Sequence, residues 1–294
     1  MGATYLPRDL FMRFILPTIT VLFLTPLAAL AGGEAEAGLP LQAAPLWNGL
    51  PITNSMVMVW LAVGLITLFC RAATKQMALV PAGFQNFAEW VVESLYDFLS
   101  SILGPYMVKK TFWFFGSIFL FILVSNLLGL IPGVGTIGIY NEHGHIIGFL
   151  RGGNADLNMT LAMALIFAVL WFYWALTENG VKGFLAHIFA PKGEFHGMML
   201  MFMVPIFLAV GLLEIISIAI RPVALTFRLF GNIYGGEQTM EKLMELVPKS
   251  LAFLPALPFY FMELLVGFVQ ALVFMLLTAV FLRLICEHAG HEHH

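Results

Sequence analysis

Apolar positions in this chain run in long unbroken blocks instead of alternating with polar ones. The block SMVMVWLAVGLITLFC ends in Arg71 and Lys75 and predicts a membrane-spanning helix over 55–72. The next block, GFQNFAEWVVESLYDFLSSILG, has a different period. Phe84, Phe87, Val91, Leu95, Phe98 and Ile102 recur at helical spacing, while Glu89, Glu93 and Asp97 form a stripe on another face. This predicts an amphipathic helix over 84–104 that lies at the interface. Its acidic face repels anionic headgroups and so suits a partner protein better than the lipid surface. Further spans are predicted over 111–132 and 157–178, and two long helices over 198–240 and 251–285. At about 1.5 Å per residue, a helix of some forty residues is far longer than a ~30 Å hydrocarbon core needs, so these two must tilt or bend. Pro205 and Pro222 offer places to bend. The expected fold is an all-α polytopic membrane protein, with about five membrane segments plus the interfacial helix, forming one membrane domain over 32–294.

Composition agrees with this pattern. Apolar residues make up 60% of the 294 positions, charged residues 11%, and the mean hydropathy is +0.91, which excludes a water-soluble globular domain. The net charge of −3 rests on few groups and implies no nucleic-acid partner. The placement of cations says more: Arg71, Lys75, Lys109, Lys110, Lys182 and Lys192 put their segments and the C-terminus on the cytoplasmic side, with the 133–155 loop outside. Arg8 and Arg13 precede FILPTITVLFLTPLAALA, and Ala29-Leu30-Ala31 resembles a cleavage site, so 1–31 reads as a signal peptide and the mature N-terminus as outside. Cys70 and Cys286 sit in or beside apolar runs and offer neither a disulfide framework nor a metal spacing. The tail EHAGHEHH reads as a solvated end, and GVGTIG lacks the strand and βαβ unit that a dinucleotide site needs. No metal or cofactor is expected.

Polar groups inside the apolar blocks are the candidate chemistry. Glu214, Arg221 and Arg228 fall seven residues apart, nearly two turns each, and so share one stripe with Ser217 and Asn232 on or beside it. Glu237, nine residues past Arg228, points the other way. Glu263 and Gln270 repeat the seven-residue spacing on the last helix. Asn154 and Asn158, with Asp156 between them, fit both helix capping and channel lining. Glu214 and Arg221 fit mutual snorkelling near a membrane face as well as a channel role. Arg228, Glu237 and Glu263 are functional candidates, because ionisable groups at membrane depth are expensive.

The run RLFGNIYGGE resembles the signature of subunit a of the F-type ATP synthases, the membrane stator facing a rotating ring of c subunits. SNLLGLIP, NADLNMTLAMAL, LLEIISIAIRPVAL and VQALVFMLLTAVFL resemble that family too, in its order, over about 50–287. The resemblance implies that Arg228 is the essential stator arginine. It further implies an outer half-channel lined by Glu237, Glu263, Gln270, Asn126, Asn154 and Asn158, and a cytoplasmic one with Glu214 and Ser217. The implied partners are the c-ring, b-type peripheral-stalk subunits, the rest of the synthase and the lipid bilayer, in a bacterial inner membrane. Such a stator is not an enzyme by itself; it couples proton flow to ring rotation and ATP synthesis. This sequence departs from the family at Gly129, where some members are acidic, at Glu263, where others place histidine, and in its signal peptide. A secondary transporter using Arg228 to hold an anionic substrate is the alternative, although no repeated halves are visible. An intramembrane enzyme would need a motif such as HExxH or GxSxG, and neither occurs.

Overall fold

Thr53 starts the first helix among the described residues. Its hydroxyl accepts from the Met56 amide at 3.4 Å, and the Met56 sulfur accepts from the Thr53 amide at 3.3 Å, so two otherwise unpaired donors are satisfied. From this cap α1 runs over Asn54–Thr74. The computed structural model describes residues 43, 45, 52–75, 77, 78, 80, 81, 83–131, 134, 138–140, 146–189, 198–248, 251 and 253–286. The proposed signal peptide, Lys192 and the histidine-rich tail lie outside these residues.

α2 covers Phe84–Gly129 and is two helical pieces meeting at Gly104, whose φ of 78° and ψ of 160° break the helix just before Pro105. Glycine reaches that φ without strain, and proline supplies no amide to continue the ladder. The kink therefore separates the amphipathic piece from the apolar piece. An antiparallel hairpin of β1 (Gly138–Tyr140) and β2 (Ile146–Gly148) follows, with Ile139 opposite Ile147. It lies in the loop between spans and is a local addition to an otherwise helical chain. A 3-10 turn over Gly153–Ala155 then leads into α3, Leu157–Phe189. This helix bends at Gly180, where φ is 67°. α4 covers Met198–Glu245 with Pro205 and Pro222 inside it, and α5 covers Phe253–Cys286. Five of these helices are long and apolar enough to cross a membrane. Cys70 and Cys286 are free and half-buried.

The apolar piece of α2 is the hub. In its most apolar window 67% of residues are buried within the chain, and Phe114, Phe115, Ile118 and Ile122 are almost wholly enclosed. It packs chiefly against α5 and α1, while α4 packs on α3 and α5. Trp113, Phe114 and Phe115 meet Trp174 of α3 with centroids 5.9–6.4 Å apart, two of the three pairs edge-to-face. Polar ties fix the helices along their length: Trp171 Nε1 donates to the Phe281 carbonyl at 3.0 Å, and Asn179 Nδ2 to that of Ile285 at 3.1 Å. Lys110 and Glu178 are paired at 2.7 Å beside the two kinks.

Candidate functional site

α4 carries its polar stripe through three different surroundings. At the upstream end Arg221 Nη2 lies 3.1 Å from Glu214 Oε1, the pairing that a seven-residue spacing allows. The Arg221 guanidinium also sits 4.9 Å from the centre of the Phe281 ring and 6.0 Å from that of Trp171. It is thus neutralised and sandwiched by its own chain. Ser217 lies on the same helix and is exposed.

Arg228, two turns further on, is exposed, and among the described residues no hydrogen bond or ion pair from this chain reaches it. Exposure here means uncovered by the chain itself. Around it Ile220, Val223 and Phe227 are uncovered as well. Asn232, one turn past Arg228, donates through Nδ2 to Gln270 Oε1 at 2.7 Å, while Gln270 is only 4% exposed. The sequence alone had Asn232 near the arginine and Gln270 in a separate path; the fold joins them.

The third surrounding is a cavity of about 20 Å³ lined by Ser125, Asn126, Gly129, Leu130, Gly152, Asn154, Ile233, Glu237 and Glu263. It brings together Glu237 of α4 and Glu263 of α5, residues 26 positions apart in sequence. Glycines make the room: a Cβ on Gly152 would come within 2.8 Å of Glu237 Oε1, and one on Gly236 would overlap the Glu263 carboxylate. A chain of amides forms the opposite wall. The Gly267 carbonyl accepts from Asn126 Nδ2 at 2.8 Å, and Asn126 Oδ1 accepts from Asn154 Nδ2 at 2.7 Å. These bonds fix both amide orientations and leave Asn154 Oδ1 as a buried acceptor with no donor among the described residues. Glu263 Oε1 is in the same condition.

The trio at the start of α3 separates into three roles. Asn154 lines the cavity. Asp156 is a cap: Oδ2 accepts from Ser55 at 2.7 Å, tying α1 to α3, and Oδ1 accepts from the Asn158 amide at 3.0 Å. Asn158 is half-buried and does not line the cavity. Three residues that sequence reasoning missed belong to the site. Gly152 and Gly236 provide space, and Arg151, only 6% exposed, donates through Nη2 to the Ala155 carbonyl at 3.1 Å and acts electrostatically on Glu237. The available signal in the sequence is a charged residue three positions before NADLNMTL, inside the 133–155 loop.

The profile of the family described as ATP synthase A chain matches residues 56–283 of this chain. The chain belongs to that family. Its relatives include ATP synthase subunit a of Solidesulfovibrio magneticus, 32% identical over 238 residues that cover 81% of this chain and 86% of the relative. The same subunit of Aliivibrio fischeri is 31% identical over 261 residues, 87% and 92% of the two chains. That of Aliarcobacter butzleri is 32% identical over 233 residues, 79% and 89%. The matched span reaches from the first turn of α1 to the last turn of α5 and contains all three surroundings of the α4 stripe. Family membership and the five apolar helices identify a multi-pass membrane subunit of the ATP synthase complex.

Proposed function

We propose that this chain is the stator of a rotary F-type ATP synthase in a bacterial inner membrane, and that it passes protons to and from the carboxylates of a c-ring through two half-channels. The observation that carries this reading is the position of Arg228. It stands on an uncovered apolar face of α4, while the two glutamates of the same region are enclosed between α4 and α5. An arginine at membrane depth costs ~2.5–3.5 kcal/mol on insertion scales, and among the described residues none pairs with Arg228 to offset that cost. A carboxylate on a neighbouring ring would.

The chemistry suits the task. A guanidinium stays protonated in any accessible environment, so it attracts an ionised ring carboxylate without ever taking its proton. A ring site nearing Arg228 is favoured in its charged form, releases its proton to one path and reloads from the other. The outer path consists of the Glu237–Glu263 cavity with Asn126 and Asn154, continued by Gln270 and Asn232 toward Arg228; Asn158 stands beside it. The cytoplasmic path contains Glu214 and Ser217, with Arg221 holding Glu214. Each proton crossing contributes about 2.3 kcal/mol per 100 mV of potential.

In this reading residues 1–31 are a signal peptide, the N-terminus is outside and the C-terminus cytoplasmic. The amphipathic piece of α2 lies at the interface, with Glu89, Glu93 and Asp97 toward b-type peripheral-stalk subunits. The deciding experiment is Arg228→Lys in an assembled complex. ATP-driven proton pumping is expected to vanish although the positive charge is kept, because lysine can lose its proton when desolvated and lacks the fixed fork of donors. Normal pumping would refute the role. Co-purification of a ring of small hairpin proteins separates this reading from that of a secondary transporter.

A further inference from the structure

Two helix N-termini share one chain of hydroxyl and carboxylate groups. Ser55 of α1 and Asp156, which precedes α3, are 101 positions apart, yet the Ser55 hydroxyl donates to Asp156 Oδ2 at 2.7 Å. The hydroxyl of Thr53, the cap of α1, lies 3.1 Å from the same Ser55 oxygen. Because the Ser55 proton is committed to the carboxylate, Thr53 is the donor in that contact. The chain thus runs from Thr53 through Ser55 to Asp156, and all three residues are buried. Capping α3 needs only one acceptor, and Asp156 Oδ1 already offers it to the Asn158 amide at 3.0 Å. Asparagine or serine would do as much without placing a carboxylate where it is only 5% exposed. The second oxygen serves α1, and the capping of α3 does not require it.

What the second oxygen fixes is the turn before α3. The Asp156 amide donates to the Gly153 carbonyl at 3.3 Å and the Ala155 amide to that of Gly152 at 3.1 Å, so the place of Asp156 sets the place of Gly152, Gly153 and Asn154. One helical turn along from Ser55, Val59 completes the seat: a Cβ on Gly153 would lie 3.0 Å from Val59 Cγ2. The other side of the turn bears on the cavity. A Cβ on Gly129 would lie 3.3 Å from Gly152 Cα, one on Gly152 would lie 2.8 Å from Glu237 Oε1, and Asn154 donates to Asn126 at 2.7 Å. The turn is therefore gripped between α1 and the cavity wall, although none of the described lining residues is on α1.

We propose that Ser55 and Asp156 are positioning residues for the outer path: through them α1 seats the turn that carries Gly152 and Asn154, and so sets how closely that wall approaches Glu237. In transport this rests on the outer half-channel reading; the geometry of the seat does not. Asp156 acts as a fixed double acceptor, one oxygen for each helix, and carries no proton.

The test uses the whole complex in lipid vesicles and reads the seat directly. Asn154→Cys places a thiol at a position 1% exposed beside a cavity of about 20 Å³, too small for methyl methanethiosulfonate, so the reagent reacts only when the turn leaves its seat. Mass measurement of the peptide carrying position 154 separates this reaction from that of Cys70 and Cys286. Adding Ser55→Ala should speed modification about tenfold, the effect of one hydrogen bond to a charged group on a local opening. Asp156→Ala should do at least as much; if it does not assemble, Ser55→Ala reads the same bond from the other side. Asp156→Asn should keep the rate within about twofold, since its oxygen still accepts from the Asn158 amide and its nitrogen donates to Ser55, whose proton turns to Thr53. Asn179→Ala removes two hydrogen bonds much further along α3 and should leave the rate unchanged. In chains that keep Asn154, pumping per assembled complex should fall several-fold with Ser55→Ala and stay near the parent rate with Asp156→Asn. Equal modification with and without Ser55→Ala, or an increase with Asn179→Ala as large as with Ser55→Ala, would overturn the seat. Faster modification with unchanged pumping would reduce Ser55 to a structural tie and overturn the positioning role. Loss of pumping in Asp156→Asn at an unchanged modification rate would overturn it as well, because the carboxylate would then be carrying protons. The thiol readout is independent of transport: normal pumping by Arg228→Lys removes the stator reading and leaves the seat standing.

Discussion

Arg221 and Glu237 lie on opposite sides of Arg228 along α4, Glu237 sharing a cavity with Glu263 of α5, and the chain treats the two regions in opposite ways. Upstream, charges of opposite sign meet at 3.1 Å and the cation lies against aromatic rings, so the cluster is complete within the chain. Downstream, two carboxyl groups line one cavity together with acceptors that lack donors among the described residues, so the cluster is not completed by those residues. A complete cluster holds structure in place, and an incomplete one leaves room for something to arrive and depart. Arg228 lies between them with no partner of its own chain among the described residues.

The largest effect is expected where the incomplete cluster is emptied. Glu237→Gln with Glu263→Gln should abolish pumping, whereas each single change should only slow it, because the remaining carboxyl can still shuttle. Pumping rates in a double-mutant cycle measure this, and strictly independent losses would mean that the two carboxyls are not one site. Gly236→Ala comes next. The added methyl displaces the Glu263 carboxylate without altering any charge, so pumping should fall several-fold while assembly with the other subunits is retained. A fully active Gly236→Ala complex would show that the position of that carboxylate is unimportant. Gly152→Ala should act in the same direction and more weakly, since only the far end of the flexible Glu237 side chain has to move aside.

The complete cluster should respond through stability. Arg221→Met removes the ion pair and the ring contacts, and a loss of ~1–2 kcal/mol is expected from a partly exposed pair plus one cation–π contact. Thermal dissociation of the complex measures it. Glu214→Gln should be the mildest structural change in the series, since Glu214 is 40% exposed and screened. A pumping defect that exceeds its stability loss would assign Glu214 a part in transport as well.

The helices were legible because apolar run length and membrane thickness are linked by simple geometry. The same holds for Glu214–Arg221, whose partners lie on one helix, where spacing alone fixes direction. Relations between helices were not legible. Asn232 meets Gln270 across 38 positions, and Asn126 meets Asn154 across 28, so both depend on how four elements pack. Among Asn154, Asp156 and Asn158 the sequence allowed capping and lining for all three, and only the hydrogen bonds separate the cap from the lining residue. Glycines were missed for a different reason. At Gly104 the backbone angle explains the residue, but at Gly152 and Gly236 the cause is the volume of a neighbour's carboxylate, which has no signature in sequence spacing.

The bareness of α4 has a consequence for the life of the protein in the cell. Only 6% of the residues in its most apolar window are buried within the chain, against 67% for the hub helix, and it carries an arginine that its own chain leaves uncovered. A copy made without its neighbours would hold a charge in lipid and rely on a few ties, Arg221 and Asn232 among them, to keep that helix in place. Such a copy is a substrate for the proteases that remove unstable chains. Under the proposed stator role its abundance would follow the supply of partners, and the charge that its own chain leaves uncovered would report whether a rotor is present.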